Sequence, residues 1–415
     1  MKTRKNFIMI YILMFPFLLH AQETISPEKQ NNTSPASKLI PNISLSVDFS
    51  YVYRNMEQTQ YDALGIPGFT GAAINVGTLN QTRGINFNYG DLTLYSTVDP
   101  FFDLFAVIGL SETGAAIEEA YAKTLAMPWN LQLKMGKFYS SFGRLNEIHS
   151  HAWDFSDQPL VFLAMFGPEN LNEKGVRLTW LAPTDFYLLL GGEALTADNA
   201  VSFGSVGFSD PAALHSVKNA EFPGLYTAYA KTSFDIDDLV ILAGVSAARG
   251  SKLLDNGIAN SGGFGVSGSA TIFGADLYLK YIIDSYRYLA WQSEFLYRYN
   301  AGSMFFHNGS TSSLIQNQSG FYTQLIWRFS EPWRAGIRYD LIQKNQGILA
   351  GAMENLPQNL PRYTVMLEYS PSEFSKFRLQ YNYDLSQYDG SAATINHQVS
   401  FDMNWFIGTH GAHSF

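Results

Sequence analysis

Two pairs of histidines have the spacing of metal ligands. His149 and His151 are separated by one residue and precede Asp154, while His410 and His413 lie near the end of the chain. Imidazole and carboxylate groups at such spacings bind zinc and related ions. The two pairs are far apart in the sequence, and neither supplies a complete ligand set. Hydrogen-bonded or solvated histidines are therefore the alternative interpretation.

Catalytic chemistry has little support in the sequence. The chain contains no cysteine, which excludes a cysteine nucleophile, a zinc–thiolate site and a disulfide framework. Ser414 follows His413, but it is not part of a nucleophile elbow. We therefore expect no enzymatic activity and no cofactor, and a Ser–His–Asp hydrolase is the alternative from another class of function.

Charged residues recur on the polar side of segments whose other side is apolar. On the inner face of a closed sheet they would line the interior, where rings of charge set ion preference. The alternative is that they form cross-strand ion pairs that stiffen the wall, such as Arg338 with Asp340 and Arg378 with Asp384. The candidate lining residues are Lys134, Glu294, Arg298, Arg328, Arg334, Arg338, Asp340, Arg378 and Asp384.

The segments that carry these charges have a period of two. Leu45, Val47 and Phe49 alternate with Ser46 and Asp48, and the same alternation returns along the chain. Successive side chains of a strand point to opposite faces. About sixteen such segments occur, each near the 9–11 residues of a membrane strand. The sequence thus predicts an all-β fold, a closed antiparallel transmembrane β-barrel, with a soluble β-sandwich as the alternative.

The composition agrees with a membrane protein that crosses the bilayer with strands. Charged residues make up only 15% of the chain and aromatic residues another 15%. After residue 21 the longest apolar run, Leu239–Ala248, is about half the length of a spanning helix. The net charge of −9 disfavours nucleic-acid binding, which requires a basic surface.

The first residues have the pattern of a secretory signal peptide. Three basic residues precede the apolar run Phe7–Leu19, and Ala21 is a plausible cleavage point. We expect a signal peptide over 1–21, a flexible periplasmic tether over 22–41 and the barrel over 42–415. An uncleaved anchor helix is the alternative for the first segment.

Short and long connections alternate between the predicted strands. This is typical of an up-and-down barrel with short periplasmic turns and long outer loops. Long loops are expected at roughly 55–83, 139–173, 197–222, 250–267, 301–318 and 344–360. Tryptophans cluster beside the short turns, where an aromatic girdle at the periplasmic interface belongs. These tryptophans are Trp129, Trp180, Trp291, Trp327, Trp333 and Trp405.

The longest connection, 139–173, contains a predicted helix. Ser156, Asp157 and Pro159 favour a helix start, Leu160–Phe166 is apolar, and Gly167 can end the helix. An apolar helix in an outer loop must be buried, so we expect it to fold into the lumen as a constriction. A lid packed against other loops is the alternative.

Six stretches of the chain together have the pattern of a known family of membrane proteins. They are Gly136–Arg144, His149–Leu160, Leu178–Pro183, Phe273–Lys280, Trp291–Arg298 and Gly408–Phe415. In these stretches the chain resembles the outer-membrane phosphate-selective porins O and P and a related group labelled zinc-regulated TonB-dependent outer-membrane receptors. The resemblance implies a sixteen-stranded barrel, trimeric if it is porin-like.

The sequence departs from both of these labels. A phosphate pore requires a basic lumen, whereas the chain is acidic. A TonB-dependent receptor carries a plug domain, for which the roughly twenty residues before the first strand leave no space.

We therefore predict a porin of the bacterial outer membrane. It would be a passive diffusion channel for small hydrophilic solutes or ions, with a weak preference for cations. A plug-less receptor or uptake protein linked to zinc is the alternative. The expected partners are outer-membrane lipid, the solutes, the barrel-insertion machinery through the terminal Phe415, and two further copies in a homotrimer.

Overall fold

Sixteen antiparallel strands close into a barrel in the computed structural model, which describes residues 41–68, 78–209 and 215–408. The strands are β1 Asn42–Arg54, β2 Gly84–Thr97, β3 Phe102–Ser111, β4 Gly114–Thr124, β5 Leu131–Tyr139, β6 Asn172–Leu181, β7 Tyr187–Leu195, β8 Leu225–Ile236, β9 Leu239–Asn256, β10 Phe264–Ile282, β11 Tyr288–Phe306, β12 Thr311–Arg328, β13 Trp333–Leu349, β14 Leu360–Ser372, β15 Ser375–Asp389 and β16 Ala392–Gly408. Each strand pairs with its neighbours in sequence, and β1 pairs with β16 to close the sheet. The predicted fold class is confirmed.

Short elements occupy the connections. Among the described residues these are helices α1 Gln58–Ala63 and α2 Leu160–Phe166, 3₁₀ turns at Pro128–Asn130, Leu145–Glu147 and Ser150–Ala152, and two-residue strands at Phe208–Ser209, Ser216–Val217 and Ala352–Met353. Neither helix is long and apolar enough to cross a membrane.

The two faces of the wall differ in polarity. On the outside, Phe273, Ile337 and Leu379 are exposed, whereas on the inside Arg298 and Asp340 are fully buried. A closed sheet leaves no unpaired strand edge, so all its backbone groups can be satisfied in hydrocarbon. A basic side chain facing lipid near the middle of the bilayer costs about 2–4 kcal/mol, which explains why charged residues occupy the inner parity.

All seven connections at one rim of the barrel are short, and this rim is here called the short-turn rim. They comprise residues 98–101, 125–130, 182–186, 237–238, 283–287, 329–332 and 373–374, whereas the opposite rim has both short and long connections. The tryptophans predicted to form a girdle lie at this rim: Trp129 is 80% exposed, and Trp333 begins β13 opposite Tyr369. The described chain also begins and ends here, because Ser44 pairs with Gly408.

Strands β9 to β14 extend further from the short-turn rim than predicted. Only residues 257–263, 307–310 and 350–359 remain as connections, because antiparallel pairing continues through pairs such as Lys252 with Gly268. Both faces of these extensions carry glycine, serine and amides, so no alternation of polarity marks them in the sequence. Some predictions concern residues outside the described part of the chain, and they stay predictions. These are the signal peptide over 1–21, the tether over 22–41 apart from Pro41, the second histidine pair His410 and His413, and the role of Phe415.

Candidate functional site

The connection 140–171, here called the inserted segment, lies inside the barrel. All seven residues of α2 are buried, and the Phe162 ring contacts the Tyr322 ring of β12, with centroids 6.2 Å apart. Leaving each large apolar side chain in water would cost about 1.5–3 kcal/mol, so burial drives the insertion. The Leu160 backbone N–H donates to Asp340 on β13 at 2.8 Å. Gly167 ends the helix at φ 76°, a conformation that glycine adopts readily.

Asp157 anchors the inserted segment to three strands. Its carboxylate lies 2.7 Å from the Arg338 Nη2 atom on β13 and 3.2 Å from the Arg362 Nη1 atom on β14. The side-chain amides of Gln380 and Asn382 on β15 donate to the same carboxylate, each at 2.8 Å. Burial alone would raise the pKa of Asp157, but the two guanidinium groups outweigh burial and lower this pKa to about 2.

A first row of alternating charge crosses β13 to β16. Arg334 lies opposite Glu368, which lies opposite Arg378 on the next strand. Arg378 lies in turn opposite Asp402. The Glu368 carboxylate is 2.5 Å from the Arg334 Nε atom and 2.7 Å from the Arg378 Nη2 atom. The inserted segment joins this row through Asp154, whose Oδ1 atom is 2.7 Å from the Arg334 Nη1 atom.

A second row of alternating charge runs parallel to the first. Asp340 lies opposite Arg362, which lies opposite Asp384. The Asp340 carboxylate is 2.9 Å from the Arg338 Nε atom and 3.2 Å from the Arg362 Nε atom. Of the two ion pairs considered from the sequence, Arg338–Asp340 is therefore present. Arg378 instead pairs with Glu368, as described above.

Two further predicted lining residues hold connections in place. The Glu294 carboxylate of β11 accepts the backbone N–H groups of Arg144 and Leu145 at 2.8 and 3.0 Å. Arg298, on the same strand, donates an Nη1–H to the Ser202 hydroxyl in the connection between β7 and β8, at 2.8 Å. Both side chains are buried, so in this structure they bind protein groups rather than open lumen.

A cavity of about 1610 Å³ extends from the short-turn rim to the inserted segment. Asn42 and Gly408 line the open end of the cavity, and Phe155 of the inserted segment lines its inner end. Four predicted lining residues reach this cavity: Lys134, Arg328, Arg334 and Arg338. The other five do not line this cavity, and they are as buried as Arg338: Glu294, Arg298, Asp340, Arg378 and Asp384.

The histidine pair of the inserted segment meets carboxylates from the barrel wall. The His149 Nε2 atom is 2.8 Å from the Glu119 Oε2 atom of β4, and the His151 Nδ1 atom is 3.3 Å from the Asp91 Oδ2 atom of β2. Burial lowers the pKa of His149, but the hydrogen bond to Glu119 and the nearby carboxylates outweigh burial and raise it to about 9. Asp154 does not join this cluster, because it pairs with Arg334.

Sequence reasoning missed three residues of this interior as site residues. Arg362 follows a stretch predicted to be a loop, although its alternation with the outward Tyr363 and Val365 could have revealed it. Asp91 and Glu119 occupy the inward parity of β2 and β4. Their inward position was visible in the pattern, whereas their meeting with the histidines depends on the fold.

Comparison with known proteins agrees with this architecture. No protein-family model matches the chain. An uncharacterized protein of Aquifex aeolicus strain VF5 is 44% identical over 387 residues, covering 92% of this chain and 82% of that protein.

Two solved structures are similar in fold. OmpF of Salmonella typhi in complex with daunomycin has a TM-score of 0.51 at 10% identity, over 88% of this chain and 97% of that one. In-vitro folded OmpT, an outer membrane protein of Vibrio cholerae, has a TM-score of 0.50 at 10% identity, over 88% and 97%. At this identity the likeness shows the fold alone, a closed antiparallel β-barrel. The 44% identity over 92% of the chain, in contrast, shows that it belongs to the same family as the Aquifex aeolicus protein.

Proposed function

We propose that this protein is a channel of the bacterial outer membrane that passes small hydrophilic solutes or ions down their concentration gradient. The observation that carries the proposal is the cavity of about 1610 Å³ inside a closed barrel whose outer face is apolar. A charged, aromatic-lined interior behind a lipid-compatible wall fits a water-filled path. The porin-like fold supports the same interpretation.

The inserted segment sets the narrowest part of the proposed path. It bounds the cavity, and Arg334 and Arg338 hold its acidic residues against the wall. Solutes that enter from the short-turn rim, which we take to be periplasmic, would meet the guanidinium groups of Arg328 and Arg334, which line the cavity and are only half-buried. Selectivity in this proposal depends on the charges that remain accessible beside the ion pairs. The likeness to phosphate-selective porins and the homotrimer stay predictions at this level.

A second candidate function is a plug-less receptor or uptake protein linked to zinc. One observation favours it, namely that His149 and His151 lie beside buried carboxylates at the cavity wall. Uptake of the metal itself would require metal-dependent transport. Zinc flux into proteoliposomes that is lost on changing both histidines to alanine would favour this candidate over a general channel.

Solute flux tests the proposed channel directly. The full-length protein, folded in detergent, is reconstituted into liposomes that enclose an impermeant polymer. These liposomes are then diluted into isosmotic solutions of hydrophilic solutes of graded size. We expect osmotic swelling that is fastest for the smallest solutes, with heat-denatured protein as the matched control. Swelling equal to that of protein-free liposomes for every solute would overturn the proposal.

A further inference from the structure

We propose that His149, His151 and Asp91 form a binding site for a divalent transition-metal ion at the wall of the cavity. The proposal rests on the positions of these side chains and not on solute conduction, so the two can fail independently. The inserted segment supplies the two imidazoles and strand β2 supplies the carboxylate, while Glu119 of β4 lies beside His149.

One pair of ligand atoms already has the separation that a bound ion would impose. An ion with ligands at about 2.0–2.1 Å in a tetrahedron places neighbouring ligand atoms about 3.3 Å apart. The His151 Nδ1 and Asp91 Oδ2 atoms are 3.3 Å apart. One ligand atom each from Asp91, His149 and His151 lies within 4.8 Å of the others, so the three side chains surround one place.

The backbone between the histidines directs both rings to the same place. Ser150–Ala152 forms a 3₁₀ turn directly after His149. The two imidazole rings are stacked, with centroids 5.6 Å apart and an interplanar angle of 21°. One nitrogen of each ring therefore lies close to the same Asp91 carboxylate.

The charge and burial of the cluster also fit a cation. Asp91 is 2% exposed, and its Oδ1 atom has no hydrogen-bond partner within the described part of the chain. A buried carboxylate oxygen without a partner is costly, and a metal ion would satisfy it. Glu118 adds a third carboxylate, 4.0 Å from the His149 Nδ1 atom. His149, His151 and Glu119 line the cavity, which gives an ion access to the site.

The ligand types select the class of ion. Imidazole nitrogens with carboxylate oxygens suit Zn²⁺, Ni²⁺ and Co²⁺ better than Mg²⁺ or Ca²⁺, which prefer oxygen ligands alone. A bound ion would also join the inserted segment to β2. The ion pairs of Asp154 and Asp157 join the same segment to β13 and β14, so the metal would fix its other side.

Metal titration of the full-length protein, folded in detergent, tests this site. We expect one equivalent of Co²⁺ per chain to produce visible absorption bands and Zn²⁺ to displace it, with Zn²⁺ affinity measured by calorimetry. The double variant His149→Ala/His151→Ala should lose the bands. Asp91→Asn should weaken Zn²⁺ binding at least about tenfold, since loss of groups that only orient ligands already costs this much.

Two controls keep the result unambiguous. The double variant His307→Ala/His397→Ala removes two histidines whose rings bond the Ile258 carbonyl and the Tyr381 hydroxyl, so its Zn²⁺ affinity should equal that of the unmodified protein. Heat-dependent mobility on gels verifies that each barrel is folded. Unchanged Zn²⁺ affinity in the folded His149→Ala/His151→Ala variant would overturn the proposal, as would equal loss in both double variants.

Discussion

Removing the charge of Asp157 should release the inserted segment from the wall. Asp157→Asn keeps the size of the side chain but removes the carboxylate that faces Arg338 and Arg362 at 2.7 and 3.2 Å. The Gln380 and Asn382 amides donate to the two carboxylate oxygens of Asp157. An asparagine has only one side-chain oxygen, so it can accept only one of these hydrogen bonds in the same geometry. The helix and its apolar contacts are left unchanged.

The free-energy cost of Asp157→Asn depends on which ion-pair partners Arg338 and Arg362 keep. Breaking a buried ion pair outright costs about 3–5 kcal/mol, because an unpaired charge remains. Here Arg338 and Arg362 keep Asp340 as a partner, at 2.9 and 3.2 Å. The loss should therefore approach that of hydrogen bonds to charged groups, about 2–3 kcal/mol. This corresponds to a rise of about 30- to 150-fold in the population of the displaced segment.

The lack of cysteine in the chain makes a thiol reporter possible. Ala164 of α2 is 2% exposed, so a cysteine at this position is protected from a bulky maleimide while the segment stays in place. When displacement and return are faster than labelling, the labelling rate follows the displaced population. We expect Asp157→Asn to raise the labelling rate of Ala164→Cys by the factor above.

A surface ion pair supplies the matched control. Asp284 pairs with Arg287 at 2.6 Å in an exposed turn, where solvent screens the attraction and such pairs contribute little to stability. Asp284→Asn should therefore leave the labelling of the reporter unchanged. If Asp157→Asn likewise leaves it unchanged in a folded barrel, the reasoning that Asp157 anchors the segment is refuted.

Three further results follow from the same structure. The pKa of Asp157 is lowered from its ordinary 3.8 to about 2, so its contribution is complete above pH 4 to 5 and is lost as the pH falls through 2. Because the thiolate is the reactive form of cysteine, the labelling rate of the Ala164→Cys reporter with a pyridyl disulfide is divided at each pH by the rate of free cysteine. This ratio should be flat from pH 7 to 5 and rise below about 3. At Gly136, with φ +142°, a Cβ would approach the Ala120 carbonyl oxygen to 2.1 Å. Gly136→Ala should therefore destabilise the barrel by more than about 1 kcal/mol. The gel-mobility shift on heating should then occur at a lower temperature. The acidic chain predicts a cation-selective reversal potential in a KCl gradient, and an anion-selective value would contradict this.

The fold was predictable because each strand carries its own signal. In β1, Ser46, Asp48 and Ser50 face inward, and Leu45 and Tyr51 take the other parity, as the alternation alone requires. The position of α2 was predictable for a related reason, since an apolar run in a polar connection must find a buried place. Both predictions depend on local sequence and on the contrast between water and hydrocarbon.

The contacts inside the lumen were not predictable in the same way. Which charges pair depends on strand register, which places Glu368 between Arg334 and Arg378 although the three are distant in sequence. The meeting of His149 with Glu119 similarly requires the inserted segment to reach β4. Parity indicates that a side chain faces inward, but only the closed barrel determines its partner.

Conductance with and without the inserted segment tests the central claim most directly. Tyr139 and Asn172 pair across β5 and β6, so a short Gly–Ser linker can replace residues 140–171. In planar bilayers we expect stepwise currents from the full-length protein and clearly larger steps from the variant. A folded variant whose steps are no larger than those of the full-length protein would contradict the account of a channel narrowed by this segment.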